Sequence, residues 1–218
     1  VVMQNARWDN AITGLKPQFI TNNKLDYNYL DQTLFNGGNE FRWFDIRNLR
    51  QFSPNVKSKR TDTVVHALLN MEESRGATQY FTYLDYNGRR IIENKEGNNS
   101  DIDGDYAYVT FQLSAVMGVP SGAEIYVIGE FTDWRLMPQY KMYFNRNRQR
   151  YELDAPLKQG RYEYCYAIKN EKGQPDETSL EGNHYQTENE YCVLVYTRNL
   201  VLNYDELIGI KRFSTTNP

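Results

Sequence analysis

The sequence predicts an all-β protein, two β-sandwiches in tandem. Three observations carry this. Tyrosine is abundant, 18 of 218 residues within an aromatic content of 14%, and it favours strands because its ring packs while its hydroxyl stays wet. Strand-like runs recur about every 8–12 residues with turn signals between them. No stretch keeps apolar residues at helical spacing for three turns. The segment "VVHALLNMEESR" comes nearest to a helix, and its β-branched start reads better as a strand followed by a loop.

The elements follow in order. "GNEFRWFDIRNLR", residues 38 to 50, reads as a strand. "TQYFTYLDY" and "RRIIE" flank Asn87-Gly88, the dipeptide of a type I′ hairpin turn, whose two central residues both need positive φ. After them come "YAYVTFQL", "AEIYVIGEF", "KMYFN", "YELDAPL", "RYEYCYAI" and "EYCVLVYTR". Lys158-Gln159-Gly160 makes a short turn, and "RNRQR" at 146–150 a solvated one. In "RYEYCYAI", alternation puts Tyr162, Tyr164 and Tyr166 on one face and Glu163, Cys165 and Ala167 on the other. The Asn-, Asp- and Gly-rich segment 94–105 is the expected boundary between a domain of residues 1–100 and one of 101–218.

Charge and composition exclude several functions. A net charge of −3 lacks the basic excess that displaces counterions from nucleic-acid phosphates. No apolar run approaches the roughly 20 residues of a membrane span. The first residue is Val, which reads as a cut N-terminus, so the compartment is not read from it. Cys165 and Cys192, the only cysteines, are too few for a structural zinc site. Buried free thiols are expected of them, with a cross-strand disulfide as the alternative in an oxidising compartment.

Along 38–50, Phe41, Trp43, Asp45, Arg47 and Leu49 point one way, and Glu40, Arg42, Phe44, Ile46 and Asn48 the other. Glu40, Arg42, Asp45 and Arg47 are expected to form a structural charge ladder, because charge beside buried neighbours must pair. Nothing marks Glu40 and Asp45 as a glycosidase pair. Asp101, Asp103 and Asp105 form a weak calcium candidate. The EF-hand pattern fails at Tyr106, where glycine is needed, and at Gln112, where a bidentate Glu is needed. His66 and His184 are the only histidines, and no G-x-S-x-G, H-E-x-x-H or P-loop pattern occurs. No catalytic residue and no cofactor are therefore expected.

Two resemblances add to this reading. "IYVIGEFTDW", a further strand and "LKQGRYEYCYAI" resemble the early-set immunoglobulin-like modules, glycogen-binding modules among them. This makes the predicted sandwiches immunoglobulin-like and gives an alternative function, a carbohydrate-binding module of the glycogen-binding type. Trp134 matches the sugar-stacking Trp of that family; Cys165 stands where the family has a sugar-binding Lys, and "KNEKGQ" lacks the second Trp. A packing role at a strand end is the expectation for Trp134.

Over nearly the whole chain, "KPQF", "LDYNYLDQTLFNGGNEFRWFDIRNLR", "DYNGRRII", "DYAYVTFQL", "LKQGRYEYCYAI" and "EGNHYQTENEYCVLVYTRN", in this order, are similar to the plug protein of the type IX secretion system. That family was formerly a domain of unknown function of Bacteroidota. Asn48 departs from the family's Ser, and Cys165 and Cys192 stand where Cys is unexpected. The resemblance implies a periplasmic protein associated with the outer membrane. It would block the periplasmic mouth of a translocon barrel and form the N-terminal part of a longer chain. Tyr185 and Tyr191 are candidate contacts, with capping of strand ends as their alternative role.

Overall fold

The computed structural model describes residues 1–28, 31–115 and 118–215. Tyr29 and Leu30, within the second family motif, lie outside the described residues. In chain order the strands are β1 (Val2–Gln4), β2 (Phe19–Thr21), β3 (Lys24–Asp26), β4 (Arg42–Asp45), β5 (Val56–Thr61), β6 (Val65–Leu69), β7 (Ile91–Ile92), β8 (Tyr106–Ser114), β9 (Ile125–Gly129), β10 (Tyr143–Asn145), β11 (Arg150–Lys158), β12 (Gly160–Lys169), β13 (Pro175–Asp176), β14 (Glu190–Asn199) and β15 (Tyr204–Ser214). Short α-helices α1 (Ser100–Asp103) and α2 (Thr178–Glu181) and the 3-10 turns Glu130–Thr132 and Pro138–Tyr140 interrupt them. The all-β sandwich class expected from the sequence is the one observed.

The central unit, Gly38–His184, is a sandwich of two sheets. One has the order β10-β11-β8-β6-β5. Its β6–β8 pair is parallel, Val65 opposite Ala107, and its other pairs are antiparallel. The second sheet is built around β12. Tyr164 pairs with Arg42 of β4 and with Gly129 of β9, so those strands lie on opposite edges of β12. The core lies between the sheets. β12 contributes Tyr162, Tyr164 and Tyr166, and β4 contributes Phe44; Val109, Phe111, Leu113, Leu153 and Leu157 face them from β8 and β11. Phe44 stacks on Tyr162 at 5.3 Å between centroids and meets Phe111 edge-on at 5.6 Å. Cys165 and Ala167, on the reverse face of β12, join a second buried cluster with Phe41, Ile128 and Trp134. β12 is thus buried on both faces, with tyrosines at one parity and Glu163, Cys165 and Ala167 at the other.

The terminal unit is assembled from both ends of the chain, Val1–Gly37 and Tyr185–Pro218. Its sheet has the order β1-β14-β15, with Val2 opposite Val193, and β2–β3 forms a separate hairpin. Its core is small: Met3, Cys192 and Leu194, with Val1 and Ala11 packed against them.

The expected division at residue 100 is therefore corrected. β6 pairs with β8 and β4 with β12 across it, and one unit is inserted within the other instead of following it in tandem. Segment 94–105 is a closed loop inside the central unit. Asn94 Nδ2 donates to Asp103 O at 2.9 Å, and the Asn99 side chain accepts from Asp101 N at 3.0 Å. A polar loop that satisfies its own backbone has the composition of a linker.

Candidate functional site

The charges of 38–50 do not form a ladder among themselves. Asp45 and Arg47 do pair, at 2.6 Å, and Arg47 extends to Glu93 at 2.8 Å. Arg42 reaches elsewhere. Its Nε donates to Glu181 Oε1 at 2.9 Å, its Nη1 lies 3.2 Å from Glu72, and its guanidinium sits over the Tyr166 ring at 5.0 Å. Arg75 Nη2 meets the other oxygen of Glu181 at 2.6 Å, and Tyr166 N donates to Oε1 at 2.7 Å. Burial alone would raise the Glu181 carboxyl, and Arg42 and Arg75 more than reverse that, leaving it below the ordinary carboxylate range. Glu40 is buried and accepts from the Tyr80 hydroxyl.

These groups anchor one surface loop, residues 76–90. The Tyr83 hydroxyl donates to Phe41 O at 2.9 Å and accepts from Arg75 Nη1 at 3.0 Å. Asp85 takes Phe41 N at 2.7 Å on one oxygen and Asn87 N at 2.8 Å on the other. The buried Glu163 carboxylate accepts from Tyr86 N at 2.7 Å and Gly88 N at 2.9 Å. Arg161 lies between two rings, 4.4 Å from the centroid of Trp43 and 4.0 Å from that of Tyr86, and donates to Glu163 at 3.2 Å. Burial, with Asp85 adding repulsion, pushes the Glu163 carboxyl up to about 7 against the pull of the two amides and Arg161.

Asn87 and Gly88 both have positive φ, 53° and 82°, as the turn reading requires. The expected strand before them is absent, and β7 after them pairs with β12 instead of closing a hairpin. The amides that a ladder would use are taken by Glu163 and Asp85. The loop instead holds Phe81 and Leu84 out to solvent, 74% and 95% exposed. Rigid anchorage with projecting apolar side chains suits recognition of a macromolecule, because little entropy is lost when the loop docks.

Gly88 is fixed by its neighbours as well as by φ. A methyl there would lie 2.6 Å from Trp134 Cζ2 and 2.8 Å from Cη2. Gly88→Ala is expected to cost about 2–3 kcal/mol, the sum of left-handed strain and overpacking. Gly173, with φ 76° and open space around it, is the control. Gly173→Ala should cost only the strain, and equal losses in urea unfolding would remove Trp134 from the account.

Trp134 is 6% exposed and packs against Phe41 at 5.2 Å. Its ring lies under Gly88 and is enclosed by protein. Asp103 accepts from Asn98 N and Asn99 N, and Asp105 from Tyr106 N; Asp101 lies on α1. Among the described residues no three His, Cys, Asp or Glu are grouped to hold a metal. Cys165 and Cys192 are buried and form no disulfide, in the central and terminal units respectively. His66 stacks on Tyr108 and His184 lies beside Tyr80. Tyr185 is exposed, whereas Tyr191 stacks on Phe213 at 5.4 Å.

Sequence reasoning missed Glu163 and Glu181 as anchors. The available signal was an acid set among strand aromatics, "YEYCY", where an ionised group must find donors.

No family model matches the chain, and no curated protein does. Among solved structures, the chain is similar to a hypothetical protein from Parabacteroides merdae ATCC 43184, at 30% identity and a TM-score of 0.87 over 98% of this chain. The chain spans about half of that protein, 54% of its length, and shares its fold there.

Proposed function

We propose that this chain is a non-enzymatic cell-envelope protein that seats on the periplasmic mouth of the outer-membrane type IX secretion translocon and plugs it when no cargo is engaged. One observation carries the reading. The residues that make the sequence similar to the plug family, "GNEFR-x-FDIR" and "EGN-x-Y-x-TENEY", serve as anchors. Arg42, Glu40 and Glu181 hold the 76–90 loop from below, and Asn189, in the terminal unit, bonds Asn5 at 2.8 Å and Gly37 O at 2.8 Å. A motif spent on holding a body and a projecting loop suits a binding subunit. Phe81 and Leu84 present apolar area that a partner would remove from water. The glycogen-type alternative loses its support with Trp134 enclosed.

The test is affinity capture of the protein from its host envelope, followed by mass spectrometry. An outer-membrane barrel is expected in the capture, and Phe81→Asp with Leu84→Asp should lower its recovery about ten-fold or more. A capture without a barrel, or a barrel retained in full by the double variant, would refute the reading.

A further inference from the structure

β15 is the edge of its sheet. It bonds β14 on one side and no strand on the other among the described residues. It is ten residues or more of open ladder, with Tyr204, Leu207, Ile208, Ile210 and Phe213 all exposed. Proteins usually blunt such an edge with proline, charge or cover, because its free amides and carbonyls can template another strand.

The charges here are sorted by sign along the strand. Asp205 and Glu206 stand at one end, and Lys211 and Arg212 at the other. Read from either end towards the centre, Tyr204–Phe213 runs aromatic, two charges, aliphatic. An antiparallel second copy of β15, centred between Ile208 and Gly209, would therefore set Tyr204 against Phe213, Asp205 against Arg212, Glu206 against Lys211 and Leu207 against Ile210. A two-fold axis makes each of these pairs twice.

Side-chain faces agree with this register, and the bulge in the strand is the reason. Ile208 has no partner on β14: Val195 pairs with Gly209 and Tyr196 with Leu207. The extra residue resets the alternation. By their β14 partners, Asp205, Leu207, Ile210 and Arg212 share the face of Leu194, and Tyr204, Glu206, Gly209, Lys211 and Phe213 share the face of Val195. Every proposed pair thus joins residues of one face, where cross-strand side chains meet. Without the bulge, the acids and bases of opposite copies would fall on opposite faces. Parallel pairing in register would set acid against acid.

We infer that β15 is a docking edge for a second copy of this chain, joined antiparallel as a two-fold dimer through the Glu206–Lys211 and Asp205–Arg212 pairs and the Leu207–Ile210 contact. Glu206 and Lys211 have no ion-pair partner among the described residues, whereas Asp205 also pairs with Arg198 at 2.9 Å. The test therefore uses the first two.

The experiment measures mass by light scattering and sedimentation across the micromolar range, on the 218-residue chain. The expected result is a dimer whose dissociation constant rises with salt. Glu206→Lys and Lys211→Glu should each weaken it at least about ten-fold. The two variants mixed should form a heterodimer, and both changes in one chain should restore the homodimer. That rescue separates lost docking from misfolding. A chain monomeric throughout the range, a dimer indifferent to Glu206→Lys, or a double variant that fails to recover would overturn the inference.

Discussion

Glu181→Gln is expected to lower the unfolding free energy by about 3–5 kcal/mol, the cost of leaving buried charge without its counterion. Glu181 and Arg42 are each 5% exposed at the side chain, and Arg75 is 20% exposed. The amide of Gln can still accept from Tyr166 N and from one guanidinium. It cannot neutralise two, and Arg42 and Arg75 then repel each other in a site with little water. Glu72 at 3.2 Å from Arg42 offsets part of the loss. The measurement is urea unfolding of the wild type, of Glu181→Gln, of Arg42→Met and of the double variant. The double variant should lose less than the sum of the singles, because with Arg42 gone only Arg75 is left without its counterion and no second guanidinium repels it. A loss under about 1 kcal/mol for Glu181→Gln would mean that the sandwich, and not this cluster, holds the base of the 76–90 loop.

The second large effect concerns pH and has the opposite sign to Glu181. The folded Glu163 carboxyl titrates at about 7, above the ordinary 4.5 of the unfolded chain. A raised folded value means that the native state binds the proton more tightly. Its contribution is full below about 4.5, declines as pH rises and is gone above 7. The window spans roughly 3 kcal/mol. Glu181 behaves in reverse: its lowered carboxyl stabilises at neutral pH and loses that contribution as pH falls through its folded value. The two are separated by difference. The stability of wild type minus that of Glu163→Gln, taken from urea unfolding at a series of pH values, should fall between pH 4.5 and 7 and be flat on either side. Parallel curves would show that the Tyr86 and Gly88 amides, with Arg161, already hold Glu163 ionised.

The legible part of the fold was local. Tyr162, Tyr164 and Tyr166 alternate with Cys165 and Ala167, and the structure buries both sets. The turns at 146–150 and 158–160 fall between the strands that their sequences separate. Asn87-Gly88 was right as a turn and wrong as a hairpin. The acceptor that redirects its amides, Glu163, is some 75 residues away, and no window of local pattern contains it. The site failed to show for the same reason. Arg42 announces that it needs an anion, but nothing in "NEFRWFDIR" says that Glu181, 139 residues on, supplies it. The domain boundary misled because composition separates polar from apolar and does not separate a closed loop from a tether.

The inserted topology has a consequence for biosynthesis. β1 pairs with β14 through Val2 and Val193, so β1 is synthesised about 190 residues before the strand it pairs with. Residues 38–184 are contiguous and can reach their native state while the opening segment is still unattached. Maturation thus has a built-in order, with the central body set first and the terminal sheet closing only after β14 and β15 emerge. During that interval residues 1–37 are open to chaperones and proteases.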